Sequence, residues 1–420
     1  MRFKPLSILL AIFFLMFSAA CNVSTPETIQ TTASQTPPMA TPTYTFPAPT
    51  ITEEPKPEET EVPTPEVTEI PVLGEPALLN TIHMVDDAQG WAVANARNSL
   101  LHTLDGGITW QDVTPYTILA SQDYYSLSLA PYFLDAQNVW FTTPEMETSR
   151  LLHSDDAGSS WQETNLPFGS GQLYFLDSDH GYILVDLGAG AGSHYVAIYY
   201  TSDGGLNWMQ RFSHEPGMSM SLPESGSKSG LTILDLNKAW IGGSTPIEDY
   251  TYLYRSIDGA QNWQKVNINL PDVINRIFIE TWQPFFVDAQ TGYVPLRVLQ
   301  TSDDFLLLFC RSIDGGETWQ YLSTVPNGTI YDFIDAMVGW ASDGLSLYST
   351  TDGAQTWSVL ASDLPAIETI LQIDFVSDQV GWLRTTPDAD TWETRHLFKT
   401  EDGGESWVLL PAVVFEASDG

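Results

Sequence analysis

The eight residues SIDGGETW (312–319) combine a carboxylate, two glycines, hydroxyl groups and an indole. Such a stretch could line a catalytic pocket or form a tight turn. It recurs in one register as TLDGGITW (103–110), SDDAGSSW (154–161), TSDGGLNW (201–208), SIDGAQNW (256–263), TTDGAQTW (350–357) and TEDGGESW (400–407). A chain rarely needs seven copies of an active site, whereas a repeat protein needs its turn in every repeat. We therefore interpret the stretch, called the Asp box below, as a structural turn.

A second motif precedes every Asp box. It consists of an apolar residue, an Asp, four further residues and an aromatic residue, and Ser377 replaces the Asp in the last copy. The copies are VDDAQGW (85–91), LDAQNVW (134–140), LDSDHGY (176–182), LDLNKAW (234–240), VDAQTGY (287–293), IDAMVGW (334–340) and VSDQVGW (376–382). An Asp that caps a turn, followed by an aromatic residue that opens a strand, predicts strand, tight turn, strand.

Together the two motifs predict a repeating unit of four short antiparallel strands, A to D. The A–B turn carries the second motif and the C–D turn is the Asp box. Units of this kind recurring every 38 to 56 residues are typical of propeller blades. We predict an all-β, seven-bladed β-propeller over residues 77–415, with a short C-terminal tail at 416–420.

We expect two residues of each Asp box to hold the repeat together. The Asp carboxylate can accept backbone N–H groups of the turn, and the Trp can open strand D and pack on the neighbouring sheet, burying about 200 Å². The predicted structural residues are Asp105, Trp110, Asp156, Trp161, Asp203, Trp208, Asp258, Trp263, Asp314, Trp319, Asp352, Trp357, Asp402 and Trp407.

Residues 1–21 have the pattern of a secretory signal, with Arg2 and Lys4 ahead of an apolar run. Cys21 follows Ser18-Ala19-Ala20 and resembles the lipidated cysteine of bacterial lipoproteins, so we predict an extracytoplasmic chain anchored to the membrane or cell surface of a bacterium by a lipid on Cys21. Ordinary signal-peptidase cleavage stays open, because Ser18 stands where Leu is usual. Residues 22–76, rich in Thr, Pro and Glu, predict a disordered stalk.

The formal net charge of −37 lies mostly on the predicted propeller, because the stalk holds only nine of the 53 acidic residues. Nucleic acid and anionic lipid headgroups are therefore poor partners. Cys310 lies in a strand-like run and reads as a buried hydrophobe, so no disulfide or cysteine metal site is expected. We expect no cofactor, no bound metal and a monomer.

The predicted turns divide the propeller into a constant end and a variable end. The distance from the A–B Asp (or Ser377) to the following aromatic is always five residues, and each Asp box spans the same eight. At the opposite end, the B–C and D–A connections vary widely in length. Specific binding should use the variable end. The candidate residues, aromatic or charged, are Tyr116, Tyr124, Tyr125, Arg276, Glu280, Trp282, Trp392, Glu393 and Arg395.

Over about residues 77–415 the chain resembles the photosystem II stability/assembly factor-like family of BNR-type propellers. FIDAMVGWASDG (333–344) and LYSTTDGAQTW (347–357) carry the resemblance. It implies a non-catalytic scaffold that binds a protein during assembly of a membrane complex, with no catalytic residue. The partner itself, protein or glycan, is not specified by the sequence.

A glycoside hydrolase is the alternative function, because related Asp-box propellers include sialidases and xyloglucan-cleaving enzymes. A sialidase needs an arginine cluster with a Tyr/Glu pair, and Arg97, Arg276, Arg297, Arg384 and Arg395 could supply one without any supporting spacing. A carboxylate pair among Asp249, Glu280 and Asp303 is a second route. Calcium binding by DADTWE (388–393) also stays open, although its spacing is not that of an EF-hand.

Overall fold

The computed structural model describes residues 75–94, 99–119, 130–143, 149–215, 221–301, 304–360, 362–388 and 394–415. Apart from a helical turn, α1 (Tyr116–Leu119), all regular elements are strands. The predicted signal peptide, with Cys21, and residues 22–74 of the predicted stalk lie outside the described residues. No helix among those described is long and apolar enough to cross a membrane.

The strands form successive four-stranded antiparallel units, with strands A to D in chain order. A short strand, β1 (Glu75–Pro76), precedes them. Units 1 to 3 comprise β2 (Leu79–Met84), β3 (Gly90–Ala94), β4 (Ser99–Thr103) and β5 (Thr109–Asp112); β6 (Tyr132–Phe133), β7 (Val139–Thr143), β8 (Arg150–Ser154) and β9 (Gln162–Asn165); and β10 (Gly171–Phe175), β11 (Gly181–Gly190), β12 (Ser193–Thr201) and β13 (Met209–Ser213).

The remaining units follow the same order, and in unit 5 strand A is split in two. Units 4 to 7 comprise β14 (Ser227–Ile233), β15 (Ala239–Ser244), β16 (Tyr252–Ser256) and β17 (Gln264–Lys265); β18 (Phe278–Thr281), β19 (Phe285–Phe286), β20 (Gly292–Leu299), β21 (Phe305–Ser312) and β22 (Gln320–Pro326); β23 (Ile330–Phe333), β24 (Gly339–Ser342), β25 (Leu347–Thr350) and β26 (Ser358–Val359); and β27 (Thr369–Phe375), β28 (Gly381–Thr386), β29 (His396–Thr400) and β30 (Val408–Leu410). The last strand is β31 (Val413–Phe415). The predicted all-β fold of four-stranded antiparallel sheets is confirmed.

Strands B and C are rich in buried apolar residues, whereas several D strands are polar. Every residue of β3 and β4 is buried, because both faces of these strands are covered. The D strands β9 and β17 are mostly exposed. The hydrophobic core is therefore a series of layers between neighbouring sheets.

The aromatic residue that opens strand B joins each unit to the next. Its ring packs against the last residue of the following strand A: Trp340 stacks on Phe375 at 3.5 Å and Trp140 on Phe175 at 4.0 Å. In six of the seven units its N–H or O–H also donates to a carbonyl of the next unit. These bonds run from Trp91 to Asp135, Trp140 to Gly204, Tyr182 to Leu236, Tyr293 to Ala336, Trp340 to Gly403 and Trp382 to Gly106.

In units 1, 2 and 7 the residue of strand C that directly precedes the Asp box also lies against this ring. His153 stacks on Trp140 at 4.1 Å, and the ammonium of Lys399 lies 5.2 Å from the centre of the Trp382 ring. Cations and imidazoles at this position lie over the negative face of an aromatic ring, which favours them.

Contacts between units 7 and 1 close the ring. Trp382 Nε1 donates to the Gly106 carbonyl at 2.8 Å, and the Asp374 carboxylate accepts the Met84 N–H at 2.6 Å. Beyond unit 7 the chain crosses to the outer edge of unit 1, where β31 pairs with β5 in parallel and β1 pairs with β31. Both ends of the described chain are thus tied to the sheet of unit 1.

Units 4 and 5 share one nine-stranded sheet, because β18 pairs with β15 as well as with β20. Gly243 lies opposite Thr281 and Ser244 opposite Glu280. This junction has no signal in the repeat pattern.

Replacing Trp382 with Ala should lower the free energy of unfolding by about 3–5 kcal/mol, because a fully buried indole and the hydrogen bond that closes the ring are lost together. Urea titration followed by circular dichroism measures the change. The control is Leu345→Ala, at a side chain 75% exposed, which should stay within about 0.5 kcal/mol of wild type. Equal losses in the two variants would contradict the role of Trp382.

Candidate functional site

Each Asp box is a closed hydrogen-bond network. In SIDGGETW, the Ser312 hydroxyl donates to Asp314 Oδ1 at 2.7 Å and accepts the Gly316 N–H at 2.8 Å. The Thr318 N–H and hydroxyl donate to Asp314 Oδ1 and Oδ2 at 3.0 and 2.6 Å. Equivalent bonds form around Asp105, Asp156, Asp203, Asp258, Asp352 and Asp402.

The residue before the box tryptophan was missed by the sequence analysis. In every box it carries a side-chain donor that bonds the second carboxylate oxygen of the Asp. The seven residues are Thr109, Ser160, Asn207, Asn262, Thr318, Thr356 and Ser406. Their restriction to Ser, Thr and Asn was visible in the sequence and could have identified them.

The box tryptophans Trp110, Trp161, Trp208, Trp263, Trp319, Trp357 and Trp407 lie in cores shared with the preceding unit. Trp110, for example, belongs to the core that contains Trp382 and Leu397 of unit 7. Several of these indoles also close their own turn, as when Trp407 Nε1 donates to the Gly404 carbonyl at 3.0 Å. These side chains are committed to packing.

The A–B turns and the Asp boxes lie at the same end of the ring. In every unit the fourth residue of the box donates its N–H to the neighbouring A–B turn, for example Gly315 to the Gln290 carbonyl at 2.8 Å. The A–B Asp is satisfied locally, since Asp288 accepts the N–H groups of Gln290 and Thr291. The polar groups at this end of the ring therefore form hydrogen bonds that stabilise the turns.

Hydrogen bonds within the box lower the pKa of two of the Asp carboxylates, Asp402 and Asp314, well below the ordinary range. The hydroxyl and N–H of Ser406, with the hydroxyl of Thr400, lower the pKa of Asp402 to about 2. Burial acts to raise the pKa of Asp314, but hydrogen bonds led by those from Thr318 outweigh it and set that pKa at about 2. Both carboxylates are therefore ionised at neutral pH and unsuited to general acid catalysis.

Two predicted binding residues, Arg276 and Glu280, lie near the junction of units 4 and 5, each with its own charged partner. Arg276 Nε lies 2.6 Å from Asp249 Oδ1. Glu280 lies opposite Arg297 across β18 and β20, with 3.8 Å between Glu280 Oε2 and Arg297 Nη1. The charges of this group, Arg276 with Asp249 and Glu280 with Arg297, are therefore paired within the protein.

Beside Arg276, three aliphatic side chains are open to solvent among exposed acidic residues. Val273 is 92% exposed, and Ile247 and Ile277 are more than half exposed. All three lie in the B–C connection of unit 4 or in the connection from unit 4 to unit 5. The ion pair of Arg276 with Asp249 joins these two connections.

The other described candidates lie apart from this group. Trp282 is half-buried and stacks on Tyr331 at 5.8 Å, between units 5 and 6. Tyr116 is exposed in α1, and its hydroxyl donates to Asp112 Oδ2 at 2.7 Å. Arg395 precedes β29 in unit 7. Tyr124, Tyr125, Trp392 and Glu393 lie outside the described residues.

The structure adds a cluster of polar side chains in unit 7, of which the sequence analysis had named only Arg384 and Arg395, both for the arginine cluster of the hydrolase alternative. Glu368 is buried, and its two oxygens contact the His396 Nδ1 at 2.8 Å and the Thr385 hydroxyl at 2.6 Å. Arg384 and Gln372 are buried beside each other on β28 and β27. The sequence spacing of these residues follows no known motif, so only the fold brings them together.

Neither cluster forms a metal site of the usual kind. Among the described residues, no three His, Cys, Asp or Glu side chains are grouped so that they could hold a metal ion. Asp388 is the one acidic residue of the DADTWE stretch within the described chain. Burial raises the pKa of the Cys310 thiol, so this side chain is part of the core and is not a reactive thiolate.

Comparisons with known proteins agree with this architecture. The profile of the family described as Photosynthesis system II assembly factor YCF48 matches residues 66–228. No curated protein sequence matches the chain.

Three solved structures similar to the chain were compared. YCF48 bound to D1 peptide is 19% identical, with 76% of this chain and 93% of that chain covered and a TM-score of 0.50. The GH74 enzyme of Niastella koreensis is 12% identical, with 80% and 66% covered and a TM-score of 0.50. YCF48 from Cyanidioschyzon merolae is 18% identical, with 79% and 97% covered and a TM-score of 0.46.

At these identities the solved structures establish the fold alone. The predicted resemblance to assembly-factor propellers of the BNR type is confirmed. Because a glycoside hydrolase shares the same fold, the comparisons do not choose between a scaffold and an enzyme.

Asp402→Asn should destabilise the protein at pH 7, and the difference from wild type should shrink as the pH falls from about 4 towards 2. The folded pKa of Asp402 lies below the value near 3.9 of an unfolded chain, so the charge stabilises the fold above pH 4 and ceases to do so as the pH falls through about 2. Thermal midpoints measured across this range test the prediction.

Asp155→Asn is the control for this experiment. Asp155 is an exposed box residue whose carboxylate accepts no hydrogen bond from a described residue. The Asp155→Asn variant should have nearly the same thermal midpoint as wild type at all of these pH values. A constant deficit for Asp402→Asn down to pH 2 would contradict the assigned role of its charge.

Proposed function

We propose that this chain is a non-catalytic scaffold that binds a protein partner through the variable end of its propeller. The observation that carries the proposal is the contrast between the two ends. At the constant end the seven Asp carboxylates and their donors are consumed by turn hydrogen bonds. The variable end differs in every unit and carries exposed apolar side chains beside charged groups.

The area around Val273 has the composition of a protein-binding surface. Exposed aliphatic side chains beside an arginine are typical of interfaces between proteins, and a monomeric protein rarely leaves such side chains grouped without use. One of the propellers with a similar fold is a YCF48 bound to a D1 peptide, which is consistent with a peptide or protein partner here.

The net charge of −37 restricts the partner. It repels nucleic acid and anionic lipid surfaces and favours a neutral or basic protein. We further propose that the propeller is held outside the cytoplasm by a lipid on Cys21 and a stalk over residues 22–74, which is shorter than the sequence indicated because Glu75 and Pro76 pair with β31. The motivation is the sequence of residues 1–76, and failure of purified membranes to release the chain after lipase treatment would argue against it.

Site-directed photo-crosslinking of the full-length chain in its native envelope tests the scaffold. A photoreactive amino acid at Val273 should capture one reproducible protein, identified by mass spectrometry. The same amino acid at Leu104, 66% exposed at the constant end, is the matched control and should capture none. Capture from Leu104 and not from Val273 would place the binding surface at the constant end and contradict the proposal.

The hydrolase alternative has its own readout. The full-length chain is incubated with xyloglucan and with sialylated glycans, and reducing sugar and free sialic acid are measured. No release is expected. Release that rises with enzyme concentration would overturn the non-catalytic proposal.

A further inference from the structure

Arg384 is a buried cation that pairs with no carboxylate of the described residues. Only 8% of this residue is exposed. Its one hydrogen bond to a described residue is a long one, 3.5 Å from Nε to Gln372 Oε1. By contrast, Arg150, Arg276 and Arg297 each lie within 4 Å of a carboxylate.

The surroundings of Arg384 do not compensate its charge. Gln372 is neutral, and its amide is already held by the backbone of Ile82 in unit 1, through bonds of 3.1 and 2.6 Å. Both oxygens of Glu368 are used by Thr385 and His396. Burial, and next the charge of Arg395, lower the pKa of Arg384 to about 9.

This arrangement is costly unless the protein uses it. Removing a guanidinium from water without a counterion destabilises a fold, and proteins rarely bury arginine unpaired. The guanidinium is also a planar fork of donors that matches a carboxylate in two parallel hydrogen bonds. A guanidinium with no carboxylate partner among the described residues, close to a second cation, Arg395, is suited to bind an anionic group of a ligand.

Arg384 lies on the half of its strand that is nearer the variable end. Strand β28 runs from the A–B turn at Gly381 towards the variable end at Thr386, so Arg384 lies beyond Trp382 in that direction. Arg384 lies opposite Gln372, which contacts Ile82 of unit 1, so Arg384 lies at the seam between units 7 and 1.

We propose that Arg384 binds a carboxylate presented by a polypeptide at the seam between units 7 and 1. This inference rests on the proposed scaffold function and deepens it by naming a chemical group of the partner. The planar donor fork of Arg384 matches one carboxylate group, and the positive charge of Arg395 nearby adds to the attraction for an anion. A polyuronic acid would be repelled by the acidic propeller, whereas one carboxylate on a neutral or basic polypeptide would not.

The test uses the full-length chain, its Arg384→Gln variant and sodium acetate as the simplest carboxylate, with sodium chloride at equal ionic strength as reference. Acetate should raise the thermal midpoint of wild type and leave the variant unchanged, because a ligand that binds only the folded state stabilises it. In chloride the variant should be at least as stable as wild type, because it lacks the buried charge.

Arg276→Gln is the matched control, because Arg276 has its own carboxylate partner on the same end of the ring. It should keep the full acetate response. A destabilised Arg384→Gln variant, or one that still responds to acetate, would overturn the site, since Arg384 would then be a structural residue.

Further ligands identify the source of the carboxylate. A short acetylated peptide with one central Glu should stabilise wild type more than the same peptide with Gln. A stronger effect of oligogalacturonate would overturn the polypeptide source, and a stronger effect of inorganic phosphate would overturn the carboxylate. The acetate result is independent of any cellular partner, so it can succeed or fail separately from the crosslinking at Val273.

Discussion

The packing of one aromatic ring per unit against the next unit is the constraint on which the ring depends. A four-stranded sheet of this size cannot bury both of its faces alone, and only a neighbour can cover them. The ring that opens strand B covers the end of the next strand A, and in most units it also bonds a backbone carbonyl there. This contact fixes where strand B must begin, which explains the invariant five-residue spacing from the A–B Asp.

The sequence was sufficient for features that one repeat contains within itself. The A–B turn and the Asp box are local, so their residues stand at fixed spacings and can be aligned by eye. The donor before each box tryptophan is equally local, and the restriction to Ser, Thr or Asn marks it. The repeat pattern therefore predicted the strand order and the fold class.

Contacts made by residues outside the two repeated motifs could not be predicted from the sequence. The junction of β15 with β18 and the polar cluster around Glu368 join residues whose separation in the chain follows no rule. The candidate binding residues were chosen by loop position, and the fold gives them different neighbours: Arg276 pairs with Asp249, Glu280 with Arg297, and Trp282 stacks on Tyr331. Loop length indicates which end varies, but side-chain neighbours depend on the packing of adjacent units.

The two-residue pairing of β1 with β31 has a mechanical consequence. Any tension on the chain before Glu75 enters the ring through β1, which touches the rest of the sheet only at Glu75 and Pro76. Such a short ladder peels apart one bond at a time, whereas β31 is also held by β5 on its other side. A pulling force would therefore detach β1 first and leave the closed ring intact. The strand would break its pairing at a lower force than the propeller needs to unfold.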